Sequence, residues 1–329
     1  MEASVQEKPN QILLSKRANI FYLEHARVMQ KDERIVYLTR CGGDIAQYFN
    51  IPERNTSLLL LGKGCSITDA AARRLAESNV VVGFCGSGGT PLFSVVDIAF
   101  LSSQSEYRPT LYMQKWAEKW FHEPTRLVMA RQLVAHRVAI FRSAWKARAG
   151  LKKYGDFPDP MVQAFQLRTD NSASSQDILL AEAEWAKRLY AFFARLFDIE
   201  FTRQAGEARR NSTMERINSF LDHGNYLAYG LAAVALNGLG ISFSFPLLHG
   251  KTRRGALVFD VADLIKDAYV MPCAFECGID RKANDKDFRS QLIEIFHREA
   301  VLDQIFDVVK ELAMDDTETV PKPFDSAGR

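Results

Sequence analysis

The spacing of the apolar residues changes near residues 101–110, and this change divides the chain into two parts. Before it, apolar residues stand in short runs separated by charged or glycine-containing turns, which is typical of β-strands. After it, apolar residues recur every third or fourth position, which is typical of helices. The chain is therefore predicted to have an α+β fold, mostly α, with a small N-terminal β-domain followed by a larger all-helical domain.

The β-domain is predicted to cover residues 1–100 and to provide the dimerisation surface, for example at the apolar strand Ser57–Leu61. Its candidate strands are Asn19–Leu23, Arg34–Leu38, Thr56–Leu61, Val80–Cys85 and Leu92–Val96. One helix, Thr68–Glu77, interrupts them, and Ser66 and Asp69 before it have the spacing of a capping box. The other predicted segments are a linker at 101–110, the helical domain at 111–313 and a disordered acidic tail at 314–329.

Composition places the chain in a reducing compartment away from membranes. Its 329 residues, 47% of them hydrophobic, are enough to bury one or two substantial cores. Five cysteines, an odd number, favour free thiols. The polar N-terminus resembles no signal peptide and no run of 18 apolar residues occurs, so we expect a cytoplasmic protein.

A basic helix is the first indication of an anionic partner. It is predicted from Pro124 to about Arg148, and from Pro124 to Gly155 the chain has eight Lys or Arg and no Asp or Glu. Arg126, Arg137 and Arg148 recur every eleven residues, which is three helical turns. We interpret these three arginines as candidate DNA-binding residues. The alternative is that they pair with carboxylates elsewhere in the protein.

The stretch Ser244–Asp267 contains the candidate catalytic chemistry. His249 lies in a turn bounded by proline and glycine, and a predicted helix after it carries Asp260, Asp263 and Asp267 on one face. An imidazole with nearby carboxylates is a ligand set for a divalent cation that acts on phosphate. Judged on these residues alone, a solvated acidic face after a basic turn is the alternative.

Four ordered blocks in this sequence resemble the CRISPR adaptation integrase family. They are the β-domain segment that begins TSLLLLGKG, EAEWAKRLY around Glu182, NSFLDHGNY at Asn218–Tyr226, and HGK followed by D-x-A-D-x-I-K. The segments SKRANIFYLEHARV and SEYRP are most similar to the I-F subtype. The resemblance extends from about Ser15 to Leu312, nearly the whole chain.

The resemblance implies a metal-dependent DNA endonuclease and integrase. In that family, the 3′-hydroxyl of a prespacer attacks a repeat phosphodiester and the prespacer enters the CRISPR array. The implied catalytic ligands of Mg²⁺ or Mn²⁺ are Glu182, His249 and Asp263, with Asp260 either behind them or as an alternate ligand. Lys251, Arg253 and Arg254 are expected to bind DNA phosphates.

The resemblance also implies partners. The expected assembly has homodimers that flank a small ferredoxin-like adaptation protein, which the I-F subtype fuses to a helicase–nuclease. Its substrates are double-stranded prespacer and repeat DNA. Two other functions remain open from the residues themselves. One is a stand-alone metal-dependent nuclease that cuts branched or single-stranded DNA, and the other is a non-catalytic helical DNA-binding scaffold.

Overall fold

The computed structural model describes residues 12–40, 46–86, 99–101, 110–147, 155–204, 212–249 and 255–315. Several predictions fall outside these residues: the strand Leu92–Val96, most of the linker, nearly all of the tail, and the side chains of Arg148, Lys251, Arg253 and Arg254.

The described residues of the N-terminal part form two four-stranded sheets. The strands are β1 Asn19–Leu23, β2 Arg27–Lys31, β3 Arg34–Arg40, β4 Ala46–Ile51, β5 Thr56–Leu61, β6 Ser66–Ile67, β7 Val81–Phe84 and β8 Ala99–Leu101. One sheet has the order β1-β5-β7-β8, with β1, β5 and β7 parallel and β8 antiparallel. The other has the order β4-β3-β2-β6, in which β3 is antiparallel to both of its neighbours.

Strand β5 is buried on both faces and joins two hydrophobic cores, so the prediction that Ser57–Leu61 forms a dimerisation surface is wrong. Successive side chains of a strand point to opposite faces. Leu58 and Leu60 accordingly lie in the large core shared with the helices, whereas Leu59 and Leu61 lie in the smaller core of the β-domain. A continuous apolar run of this kind is typical of a central parallel strand, and its burial ties the two parts of the molecule together.

Helices make up most of the rest of the described chain. They are α1 Asp69–Glu77, α2 Leu111–Phe121, α3 Glu123–Ala147, α4 Asp159–Asp170, α5 Ser175–Leu196, α6 Thr213–Gly238, α7 Leu257–Ile265, α8 Met271–Ile279, α9 Asp285–Arg298 and α10 Val301–Met314. A π-helical turn, Lys266–Val270, connects α7 to α8. In the part of the chain that is described, no helix is both long and apolar enough to cross a membrane.

Helix α6 lies at the centre of this helical part. It begins with a capping box between Ser212 and Glu215, and most of its side chains are buried. A Cβ atom at Gly230 would lie 2.1 Å from Cδ2 of Leu58 in β5. The glycine therefore lets the backbone of α6 lie directly against the sheet.

The predicted fold class is confirmed, since a small strand-rich region precedes a mostly helical one. The boundaries of β1 and β5 also agree with the prediction. The predicted capping box at Ser66 is wrong: Ser66 lies in β6, and the hydroxyl of Thr68 instead accepts a hydrogen bond from the backbone of Ala71.

Candidate metal centre

Three side chains converge in the described part of the molecule as a set that can hold a metal ion. They are Glu182 on α5, His249 in the loop before α7, and Asp263 on α7, and one ligand atom from each lies within 4.8 Å of the others. These side chains border a cavity of about 320 Å³. Glu182 is buried, while His249 and Asp263 are half-buried. The convergence depends on folding, because the three residues are distant in sequence.

Asp260 holds the imidazole of His249 rather than facing the cavity. Its carboxylate is fully buried and accepts hydrogen bonds from the backbone N–H groups of Leu247 (2.7 Å), Leu248 (3.0 Å) and His249 (3.2 Å). It also lies 2.6 Å from Nδ1 of His249. A carboxylate on Nδ1 fixes the ring so that Nε2 remains available to a metal. Asp260 therefore lies behind His249 in the structure, on the Nδ1 side of its ring.

Lys266 is a cation of the site that the sequence analysis did not single out. Its Nζ lies 2.6 Å from Oδ1 of Asp263 and 3.4 Å from the hydroxyl of Tyr229. Burial lowers the pKa of this ammonium, but the charge of Asp263 outweighs burial and leaves the pKa above its usual value. The sequence feature that could have identified Lys266 is its position three residues after Asp263, about one helical turn away.

Arg137 is buried, so the prediction that it lies on an exposed DNA-binding face is wrong. Its Nη1 donates to Oε1 of Glu182 at 2.7 Å. Its Nε and Nη2 donate to the carboxylate of Asp267 at 2.6 and 3.0 Å. The eleven-residue spacing places Arg126 and Arg137 on the same side of α3, but burial varies along the helix axis. The middle of α3 is covered by neighbouring helices, whereas Arg126 near its start has a side chain 27% exposed.

Arg126 has partners of its own at the protein surface. Its Nη1 donates to the backbone oxygen of Trp120 at 3.0 Å, and its guanidinium lies 5.1 Å from the centre of that indole ring. Glu123 is 3.9 Å away. Its proposed contact with DNA stays a prediction.

The environment shifts the ligands' pKa values in different directions. Burial raises the pKa of Glu182 to about 7, against the opposing charge of Arg137. Burial also raises the pKa of Asp263, but the nearby Lys266 and Arg137 outweigh it and leave a net decrease. Burial lowers the pKa of His249, but the hydrogen bond and charge of Asp260 reverse that effect and raise it. These pKa shifts are expected where several carboxylates lie close together and their negative charge is only partly neutralised by two cations, Arg137 and Lys266.

The charges and donor types of this site fit one divalent cation. With His249 neutral and the carboxylates ionised, the described side chains leave two negative charges: Glu182, Asp260, Asp263 and Asp267 against Arg137 and Lys266. One nitrogen donor with two carboxylates suits Mg²⁺ or Mn²⁺ with open positions for other oxygen ligands.

The model of one protein family, CRISPR associated protein Cas1, matches residues 21–311 of the sequence. The chain belongs to the Cas1 family. A CRISPR-associated endonuclease Cas1 from Pseudomonas aeruginosa (strain UCBPP-PA14) is 45% identical to it, over 93% of this chain and 96% of that protein. A protein of the same name from Pectobacterium atrosepticum is 42% identical, over 92% of this chain and 94% of the other. The chain is thus an enzyme of the Cas1 endonuclease family.

Solved structures of the same fold include Cas1 proteins and a casposase. A complex of TtCas1 with DNA has a TM-score of 0.66 at 21% identity and covers 94% of this chain and 98% of its own. A casposase bound to an integration product has a TM-score of 0.69 at 15% identity, covering 89% of each chain. A Cas6-RT-Cas1–Cas2 complex has a TM-score of 0.62 at 14% identity, covering 90% of this chain and 34% of the other.

Proposed function

We propose that this Cas1 protein is a CRISPR adaptation integrase, which inserts prespacer DNA into the CRISPR array. In this reaction the 3′-hydroxyl of the prespacer replaces one oxygen of a repeat phosphodiester, so that one bond forms as another breaks. The observation that carries the proposal is the convergence of Glu182, His249 and Asp263 within 4.8 Å. The TtCas1–DNA complex and the casposase with its integration product, both of the same fold, support it.

Glu182, His249 and Asp263 would hold Mg²⁺ or Mn²⁺. When bound, such an ion supplies Lewis acidity to a phosphoryl group and offsets the charge of the transition state. Asp260 keeps the imidazole of His249 in one orientation through the 2.6 Å contact with Nδ1. Lys266, 18% exposed at its side chain, provides a cation that can donate to a phosphate oxygen in the cavity.

DNA phosphates outside the cavity are assigned to basic residues of two segments. Lys251, Arg253 and Arg254 follow His249 directly, and Arg126 and Arg148 lie near the two ends of the predicted basic helix. Arg137 is removed from this group because its guanidinium is bonded to Glu182 and Asp267.

The proposed assembly includes other proteins. We expect this chain to form homodimers that bind prespacer and repeat duplexes together with a small ferredoxin-like adaptation protein fused to a helicase–nuclease. The Cas6-RT-Cas1–Cas2 complex supports an association with a Cas partner.

The test is a joining assay. The purified protein and its adaptation partner are incubated with Mn²⁺, a labelled prespacer and a supercoiled plasmid that carries the repeat. His249→Ala and Asp263→Ala are expected to reduce joining by about 100-fold or more, because the lost metal stabilisation is several kcal/mol. Binding to duplex DNA should change by less than about twofold, because phosphate contacts elsewhere supply most of the affinity.

Matched controls make the assay decisive. Glu184 lies on α5, two residues from Glu182, and pairs with Arg168 and Arg188, so Glu184→Ala should join DNA normally where Glu182→Ala does not. A prespacer ending in a 3′-deoxy sugar should not be joined. Nicked plasmid without joined label would identify a hydrolytic nuclease, and near-normal joining by folded His249→Ala would refute the metal site.

A further inference from the structure

A buried ion-pair network adjoins the metal centre and includes one of its three ligands, Glu182. Arg137 uses Nε and Nη2 for Asp267, at 2.6 and 3.0 Å, and Nη1 for Glu182, at 2.7 Å. The indole Nε1 of Trp185 donates to Oδ2 of Asp267 at 2.8 Å. Four side chains from α3, α5 and the π-helical turn are thus connected by hydrogen bonds.

The network is fixed from several directions. Both oxygens of Asp267 accept bonds from Arg137, and Trp185, which itself belongs to the large hydrophobic core, adds a further bond. Asp267 is 3% exposed and Arg137 is 7% exposed, so water competes weakly for these bonds. A guanidinium is planar, and two bonds to one carboxylate therefore determine where its remaining N–H groups point.

The π-helical turn Lys266–Val270 supplies Asp267 to this network. Neighbouring residues of a regular α-helix point about 100° apart, since one turn contains 3.6 residues. Yet Lys266 and Asp267, which are consecutive, both border the cavity, one beside Asp263 and the other against Arg137. Single π-helical turns occur frequently at functional sites, where they change the direction of a side chain.

Glu182 is the ligand that this network holds. An ionised carboxylate has two oxygens with about four lone-pair sites, and Arg137 occupies one of them on Oε1. The other sites remain available on the side of His249 and Asp263. A buried, flexible glutamate without such a bond has several rotamers available, and only some of them bring an oxygen to the other two ligands.

We propose that Arg137 is a positioning residue that orients Glu182 for metal binding, and that Asp267 and Trp185 hold Arg137 in place. This inference rests on the proposed function only in that Glu182 is taken as a metal ligand. Partners that orient metal ligands typically contribute 10- to 100-fold to metal affinity. The rival role is a purely structural ion pair, which would stabilise the fold without affecting the metal.

The test measures Mn²⁺ affinity of the full-length protein by calorimetric titration, without DNA. Arg137→Lys keeps the charge but replaces the planar fork by a compact ammonium, which cannot hold both carboxylates in the same geometry. Asp267→Asn keeps the volume but removes the charge and one acceptor. Both variants are expected to bind Mn²⁺ about 10- to 100-fold more weakly than the unmodified protein. Arg142→Lys, on the same helix and paired with Asp159, is the matched control and should bind Mn²⁺ normally.

A second readout separates positioning from stability. In the joining assay, Arg137→Lys should require a higher Mn²⁺ concentration for half-maximal rate, and a variant that is merely less stable should not. Unchanged Mn²⁺ affinity in folded Arg137→Lys, or in Asp267→Asn if the lysine variant does not fold, overturns the inference. If the unmodified protein binds Mn²⁺ but joins no DNA, the proposed function fails while this comparison still decides the role of Arg137. If it binds no Mn²⁺, both fail.

Discussion

At the scale of residues, two aspartates one helical turn apart have different surroundings. Asp260 is fully buried and its oxygens accept bonds from the loop that carries His249, whereas Asp263 borders the cavity beside Lys266. Both residues fit the D-x-A-D motif and the same predicted helix face. Sequence spacing could identify the pair but could not distinguish them, because the difference depends on where a separate loop returns to the helix.

Buried His136 gives a prediction about acid stability. Its side chain is 3% exposed, its Nε2 lies 3.3 Å from Glu311, and burial lowers its pKa to about 4. The unfolded pKa is about 6.5, so the neutral ring is favoured in the folded state. Stability from this difference is complete above pH 6.5 and is lost as the pH falls toward 4. At pH 4.5 the loss should be about 2–3 kcal/mol in the free energy of unfolding.

Denaturant unfolding of the native protein and His136→Gln at pH 7.5 and 4.5 measures this loss. Only the native protein should lose the stability that comes from the lowered pKa of His136. The difference in free energy of unfolding between the two proteins should therefore be smaller at pH 4.5 than at pH 7.5. Glu311, whose pKa is raised mainly by burial, is present in both proteins. Equal decreases in the two proteins would contradict the assignment.

At the scale of elements, α3 connects the surface to the metal centre. Arg126 lies near its start with a partly exposed side chain, and Arg137 lies in its buried middle. Periodicity predicted the helix well, since Pro124–Arg148 is close to the observed Glu123–Ala147. It could not predict which part of the helix is buried, because burial depends on the positions of the other helices.

Of the three arginines predicted to bind DNA, Arg137 is buried and Arg148 lies outside the described residues. The DNA contact of Arg126 is therefore the one to test. If it binds a phosphate, Arg126→Ala should flatten the slope of log affinity against log salt by up to about 0.9, equally for all duplex sequences. Arg73→Ala removes an equal charge from exposed α1, where Arg73 pairs with Asp69, and should leave the slope unchanged. Affinities at five salt concentrations give both slopes. A lower melting temperature with an unchanged slope would show that Arg126 acts through Glu123 and Trp120 instead.

Some elements were predictable and others were not. β1 and β5 have apolar runs with clear limits, and their bounds were predicted correctly. β4 was not predicted, because its sequence, AQYFNI, lacks the alternation of apolar and polar residues that indicates a half-buried strand. Its large side chains Tyr48 and Phe49 are substantially exposed. The π-helical turn at Lys266–Val270 was also missed, since it depends on packing against α3 and α6 rather than on a local motif.

At the scale of the whole molecule, β4 offers a surface for self-association. Among the described strands it lies at the edge of its sheet, and Tyr48 and Phe49 are 49% and 37% exposed. An apolar edge strand requires a cover if it is not to aggregate. We expect a homodimer through this edge, with a light-scattering mass near twice 37.2 kDa.

Substituting both aromatic residues tests that interface. Tyr48→Glu with Phe49→Glu should give a mass near 37.2 kDa, because charged side chains on an edge strand oppose pairing. The matched control is Leu167→Glu with Leu180→Glu, at positions 65% and 53% exposed on α4 and α5, and it should remain dimeric. A native protein that is monomeric at micromolar concentration would contradict the expectation.

The distance along the chain between Arg137 and Asp267, 130 residues, has a consequence during protein synthesis. A ribosome adds about 5–20 residues per second, so roughly 6–26 seconds separate the appearance of these two partners. Asp263 is translated almost as late as Asp267. A growing chain that already contains α3 and α5 therefore lacks an assembled ligand set. The complete ligand set therefore exists only after synthesis has passed α7.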